Sequence, residues 1–270
     1  MQSNYISGGC SFTFGNELSD DRTGKVPSKK SWAHGLFERT QGLGKKFINT
    51  AMGGAGNPAI ARRVFQEISK HPPKSIKGVW VMWTFTSRYD WAMPRHKVLE
   101  NQRWASISPW DTNMRAEERH QALANSEVQQ QEWKAREDAL STTGVSPFAN
   151  ALYRYAANEF HEIYLSWKSI IWLQNILEKK QIPFMFTLAD NSLFYKEFDQ
   201  HKDSEPLLKA MYGEIDFTKW FSFGERMMGF NQWTLLNGYE RAVTHPLDKA
   251  HADAIMLMES TFNKLIGGKK

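Results

Sequence analysis

Gly78-Val79-Trp80-Val81-Met82-Trp83-Thr84 contains no charged residue and follows the breaker pair Pro72-Pro73. A short apolar run of this kind, rich in Val and Trp, reads as a strand buried on both faces. Toward the N-terminus, Pro58 suits the first turn of a helix running to about Lys70. Lys46-Phe47-Ile48-Asn49-Thr50-Ala51 reads as a second strand ending in the glycine cluster Gly53-Gly54-Ala55-Gly56. Ser31 is a good N-cap for a helix from Trp32 to about Arg39, and Tyr5-Ile6-Ser7-Gly8-Gly9 reads as a buried first strand. The polar stretch from Gly15 to Lys30 between them reads as a surface loop. Strand, helix, strand, helix, strand predicts a parallel sheet with covering helices. Right-handed crossovers then bring the strand C-termini to one edge, where ligands bind in such sheets.

Beyond this core the pattern changes. From about 92 to 145 strand-like runs give way to a polar segment, with a Glu/Gln/Ala/Arg-rich helical section from Asn113 to Leu140. We read it as an inserted helical arm or lid. A long helix is expected from about Pro147 to Lys180, a fourth strand over Pro183–Ala189 and a short fifth within Phe217–Phe223. The segment from Pro246 to Ile266 is expected to be mostly helical. The fold class is therefore α/β, as one domain over 1–270 carrying a helical insertion at about 92–145.

Composition narrows the function classes. Of 270 residues, 41% are hydrophobic and 23% charged, a globular profile with enough apolar material for a sizeable core. The 11 Trp and 17 Phe exceed what burial requires, leaving aromatics for a groove. The net charge of +5 is dispersed apart from Lys29-Lys30, Lys45-Lys46 and Lys269-Lys270. It reads as solvated surface charge, so nucleic acid is not expected as a partner. A lone cysteine, Cys10, rules out an intrachain disulfide and a multi-cysteine metal site. The start, Met1-Gln2-Ser3-Asn4-Tyr5-Ile6, shows no secretory pattern, and no apolar run approaches the roughly 18–20 residues that span a bilayer. No membrane association is expected, and the oligomeric state is not legible.

Three clusters could do chemistry. Gly8-Gly9-Cys10-Ser11-Phe12-Thr13-Phe14-Gly15 places Ser11 just after the first strand, either as a nucleophile awaiting a base or as a turn serine capping local backbone. Asn49-Thr50-Ala51-Met52-Gly53-Gly54-Ala55-Gly56-Asn57 exposes backbone N–H groups suited to an oxyanion, or is simply a tight turn needing positive φ. Thr244-His245-Pro246-Leu247-Asp248-Lys249-Ala250-His251 offers a histidine base at a helix entry, or an exposed loop histidine. Trp91, Trp104 and Trp110 either stack on sugar rings or pack the insertion. Cys10 reads as buried packing.

In this order the clusters resemble the SGNH (GDSL-like) hydrolase superfamily, and more closely the SGNH-like proteins of phages and marine bacteria. The matching residues are Gly9 to Thr13, then Asn49 with Gly54 and Asn57, then Trp83-Thr84 with Arg88, then His245-Pro246 with His251. The resemblance covers most of the chain outside roughly 92–145. It implies a three-layer α/β/α, flavodoxin-like parallel sheet and an esterase or deacetylase cleaving an acyl ester, on a small molecule or a carbohydrate. It implies no metal and no cofactor; with no secretory pattern and one cysteine, a cytoplasmic or virion-associated location is expected. Ser11 would be the nucleophile and His245 the base, with Ser11 and Gly54 donating backbone N–H groups to the oxyanion. Asn57 and Ser87 would support the site.

Two positions depart from the family. The block that normally reads Gly-x-Asn-Asp is Trp83-Thr84-Phe85-Thr86-Ser87-Arg88 here, without the oxyanion Asn. Arg88 would stabilise the developing charge instead, or pair with Asp90. The Asp expected three residues before the histidine is Ala242, so Glu240 or Asp248 would back the ring, or the site is a Ser-His dyad. His251 is the second candidate base. The rival reading is a weak or inactive SGNH-fold module that binds glycans or belongs to a virion.

Overall fold

The computed structural model describes residues 2–21, 24–40, 43–93, 104–112, 144–194 and 205–267. In chain order the first half gives β1 (Ser3–Gly8), α1 (Ser11–Phe14), α2 (Trp32–Glu38), β2 (Lys45–Asn49), α3 (Asn57–Ile68) and β3 (Ile76–Trp83). Then follow β4 (Tyr89–Ala92), β5 (Trp104–Ile107), α4 (Val145–Tyr155), α5 (Glu159–Lys179) and β6 (Phe184–Leu188). The chain ends with α6 (Glu205–Gly213), α7 (Phe230–Leu236) and α8 (Asp248–Ile266).

The main sheet has the order β2-β1-β3-β6, and every pairing in it is parallel. Helices α2 and α8 pack together on one face, and α3 and α5 pack together on the other. This is the three-layer α/β/α arrangement that the strand–helix alternation implies. The chain steps from β1 to β2 in one direction and then crosses back over β1 to β3 and on to β6. Reversal of direction beside β1 makes the carboxyl ends of β1 and β3 a topological switch point, where a crevice opens. Trp80, Trp83, Trp167, Phe186 and Phe262 are fully buried about this sheet. Among the described residues, six Trp and seven Phe are buried, so a large part of the aromatic allotment is core.

Three expectations are corrected. The helix expected over 147–180 is two helices, α4 and α5. Ala156 and Ala157 both donate their N–H to Leu152 O, closing the first, and Asn158 caps the second by accepting from His161 N. The fifth strand within 217–223 shrinks to a single parallel bridge between Trp220 and Phe186, with Phe217–Lys219 coiled as a 3₁₀ turn capped by Asp216. The segment after β3 also holds strands that its polar character hid: β4 and β5 form a separate antiparallel ribbon. The expected helical section 113–140 lies outside the described residues.

The ribbon has its own small core, in which Tyr89, Met93 and Ile107 pack against Val145, Ala149 and Leu152 of α4. Tyr153 fastens it to the end of β3 by donating its hydroxyl to Ser87 O at 2.6 Å and Ile107 O at 3.1 Å. Burial pushes the Tyr153 phenol far up, so it stays a donor.

Asn57 ties the layers together beneath the crevice. Its side chain accepts from Thr84 N at 2.8 Å and donates to Thr84 O and to Ser166 Oγ, each at 3.0 Å. It is wholly buried, so Asn57→Ala strands several backbone and side-chain groups at once. The expected cost is about 3 kcal/mol of unfolding free energy, read as a lower urea midpoint at unchanged slope. An unchanged midpoint would mean that this bridge is not structural.

Candidate active site

Ser11 follows β1 after two residues, at the switch point. Cys10 O accepts the N–H groups of Thr13 and Phe14, coiling the one-turn helix α1, and Gly15 ends it by donating its N–H to Ser11 O. Gly15 has φ 84° and lies so close to Ser28 that an added Cβ would come within 2.7 Å, so only glycine serves there. Cys10 is fully buried and its Sγ accepts from Thr84 Oγ1 at 3.2 Å, which is a packing role. Ser11 itself is 7% exposed, sheltered yet reachable.

The Ser11 Oγ lies 2.7 Å from His245 Nε2. On the other side of the ring, His245 Nδ1 lies 2.7 Å from Glu17 Oε2. An ionised carboxylate only accepts, so Nδ1 carries the proton and Nε2 is free to take one from the hydroxyl. Glu17 Oε2 also accepts from Thr244 N at 3.1 Å, Thr244 Oγ1 at 3.0 Å and His245 N at 3.0 Å. Phe12 closes against the imidazole edge-on, with centroids 4.9 Å apart. The ring is held on every side.

His245 sits in a chain reversal between α7 and α8. Ala242 N donates to His245 O and Leu247 N to Glu240 O, with an antiparallel bridge between Arg241 and Pro246. Arg241 secures this reversal to α7 by donating to Thr234 Oγ1 and Asn231 Oδ1, and it donates to Thr244 O at 2.7 Å.

The remaining candidates fall in different places. Gly54 lies in the glycine turn with φ 75°, and the N–H groups of Ser11 and Gly54 have no hydrogen-bond partner among the described residues. Arg88 does not pair with Asp90, which takes a bidentate bond from Arg62 at 2.6 and 2.9 Å. Arg88 instead lies over Phe85 and donates to Ala55 O and Thr84 Oγ1. Asn57 is engaged as described, and Ser87 meets Tyr153 through its carbonyl. Trp91 packs on Phe148 and Trp104 on the Arg62 guanidinium, each remaining about half exposed, and Trp110 is half-buried.

Neither proposed ring-backing carboxylate touches His245. Asp248 is taken by Lys30 at 2.6 Å and by Ser19, whose hydroxyl and N–H both donate to it; despite the cost of burial these bonds hold it down to about 2. Glu240 lines a cavity of about 660 Å³ with Ser19, Tyr239, Asp248 and Lys249, which reaches Glu17 from behind. Ser11 and His245 are not among its lining residues, so a substrate there would not meet the hydroxyl. Sequence reasoning missed Glu17, which lies inside the stretch read as surface loop. Among the described residues no group of three or more His, Cys, Asp or Glu is arranged to hold a metal ion.

His251 is not a base at neutral pH. It is fully buried, its Nδ1 accepts from Trp32 N at 3.1 Å, and Phe230 packs edge-on against it. Burial, and secondarily the neighbouring His245, push it down to about 3. Unfolding restores its ordinary value of 6.5, so the unfolded chain binds one more proton between these limits. Stability should therefore fall as pH drops from 6.5 toward 3. In His251→Gln the slope of unfolding free energy against pH should shrink by about one proton in that window. An identical slope in the two proteins would contradict this reading of His251.

Fold and site together define an α/β protein with a serine–histidine–carboxylate relay at the switch point of a parallel sheet. No family model matches the chain, and no curated protein matches it in sequence. Among solved structures it is similar to a catalytic mutant of an acetylxylan esterase from Geobacillus stearothermophilus, at 9% identity, covering 100% of this chain and 97% of that one, TM-score 0.45. A lipase from a goat rumen metagenome matches at 8% identity over 96% of this chain and 97% of that one, TM-score 0.44. A member of the lipolytic G-D-S-L family from Veillonella parvula matches at 11% identity over 97% and 100%, TM-score 0.42. Likenesses this distant carry no argument, and the chemistry rests on the site. No helix among the described residues is long and apolar enough to cross a membrane.

Proposed function

We propose that this chain is an SGNH-type serine hydrolase, an esterase or deacetylase cleaving an acyl ester, with Ser11, His245 and Glu17 as its triad. The observation that carries the reading is the unbroken relay of two 2.7 Å contacts, hydroxyl to imidazole and imidazole to carboxylate. A serine hydroxyl needs such a base to become nucleophilic, and the base needs its tautomer fixed.

Ser11 Oγ attacks the ester carbonyl while His245 Nε2 takes its proton. The resulting imidazolium is stabilised by Glu17, which stays ionised. The carbonyl oxygen becomes an oxyanion, received by the unpartnered N–H groups of Ser11 and Gly54. Nε2 then returns the proton to the leaving alcohol, giving an acyl-Ser11 ester. Water, deprotonated at Nε2, attacks that ester and releases the acid and free Ser11. Arg88 acts indirectly in this scheme, because its guanidinium holds the glycine turn through Ala55 O. No cofactor enters any step. The substrate class is an acylated small molecule or carbohydrate. The rival reading, a weak or inactive glycan-binding or virion-associated module, drew on the missing acid at Ala242 and on the aromatic insertion; Glu17 beside His245 answers the first of these.

Wild-type protein should hydrolyse p-nitrophenyl acetate, and Ser11→Ala should abolish it; equal rates in both would overturn the assignment. A fluorophosphonate should phosphonylate Ser11 with loss of fluoride, adding its mass less HF to the peptide containing Ser11. Glu17→Gln keeps the shape but allows the wrong imidazole tautomer. It should lower kcat by about 10²- to 10⁴-fold at little changed KM, by analogy with triads that lose their acid.

A further inference from the structure

The glycine turn poses a geometric problem. An oxyanion donor is useful only if its N–H direction is fixed, yet Gly54 has φ 75° and no Cβ to limit its dihedrals. Among the described residues, Ala55 N donates to Met52 O, Met52 N donates to Gly9 O, Ile60 N donates to Gly56 O, and Arg88 donates to Ala55 O. None of these bonds involves a group of Gly54.

A bond on Gly54 itself comes from the ribbon. Ser106 Oγ of β5 donates to Gly54 O at 2.9 Å and accepts from Gly56 N at 3.2 Å. One hydroxyl thus straddles Ala55 and pins the turn on both sides of it. The approach is close, because a Cβ on Gly56 would come within 2.4 Å of Arg88 O, just ahead of β4. The ribbon is itself anchored: Asp90, opposite Ser106 in register, is gripped by Arg62, and Ile107 O is gripped by Tyr153.

We infer that Ser106 is a positioning residue, which sets the orientation of the Gly54 N–H by clamping the turn from the inserted ribbon. This rests on the reading of Gly54 as an oxyanion donor. The task needs a group that donates and accepts at once, which Ser or Thr supplies and Ala does not. A donor displaced by about 1 Å loses much of its value at the transition state while ground-state binding is spared.

The test compares wild type, Ser106→Ala and Ser106→Thr by amide exchange over Met52–Gly56, by p-nitrophenyl acetate kinetics and by phenylboronic acid inhibition. In Ser106→Ala, exchange at the Ala55 N–H, which does not touch Ser106, should quicken. Its kcat should drop about 10- to 100-fold with KM within about twofold, and phenylboronic acid should weaken in step with kcat. Ser106→Thr should recover most of each loss. Unchanged exchange at Ala55 overturns the clamp whatever the kinetics, and so does a kcat within about twofold of wild type. If wild type itself hydrolyses no ester but exchange at Ala55 still quickens, the clamp stands and the hydrolase reading falls.

Discussion

A single carboxylate oxygen, Glu17 Oε2, draws together the two ends of the chain at the rim of the sheet. It accepts from both the backbone and the side chains of Thr244 and His245, 228 positions away in the case of His245. Joining such distant segments costs loop-closure entropy, so one contact would not hold them in register. The same loop is therefore tied again, by Ser19 and Lys30 to Asp248 at the start of α8. Asp248 thus serves the carboxylate that does reach the ring. The charge-assisted bonds at Asp248 and Glu17 lie on either side of the His245 reversal, and together they fix its place over Ser11.

The sheet explains why this convergence happens where it does. Strand order β2-β1-β3-β6 leaves β1 and β3 adjacent with their following segments diverging, and Ser11 and Thr84 emerge side by side there. The space under them is filled by polar groups that satisfy one another. Thr84 gives its hydroxyl to Cys10 and its backbone to Asn57, which in turn reaches Ser166 on α5. Fully paired groups of this kind are rigid, since every alternative position leaves a buried donor or acceptor unmet.

Much of this was legible in the sequence where burial imposes a pattern. β3 and β6 are covered on both faces, so they show as continuous apolar runs, and Ser31 marks the start of α2 by its own side chain. Ser11 and His245, which lie 2.7 Å apart, were legible because each follows or precedes a regular element. Other features leave no local mark. The break at 156–158 interrupts a helical apolar pattern that continues on both sides, and only the cap at Asn158 betrays it. The strands β4 and β5 are four residues each, too short for alternation to stand out. Phe217–Phe223 has the composition of a strand, but its aromatics pack against Phe186 and Phe194 from a turn instead. Glu17 is an acid in a polar loop, and its partner lies at the far end of the chain, so no spacing rule reaches it.

The position of Glu17 also changes what the relay requires of the fold. In the family resembled here the acid sits with the histidine, so nucleophile and acid are set by separate segments. Here Ser11 and Glu17 lie six residues apart on either side of the turn at Gly15, and they grip the two ring nitrogens of His245 from one piece of chain. The spacing between the two grips is then a local property of α1 and Gly15, whose φ of 84° turns the backbone toward the ring. Only one long-range fit remains, the delivery of the His245 reversal into that grip. Glu17 itself is held at φ 67°, a region a side chain rarely adopts, and such a conformation persists only where surrounding bonds fix it. Its own N–H donates to Asp21 Oδ2 at 3.0 Å, which holds the backbone, while the bonds from Thr244 and His245 hold its carboxylate beneath the ring.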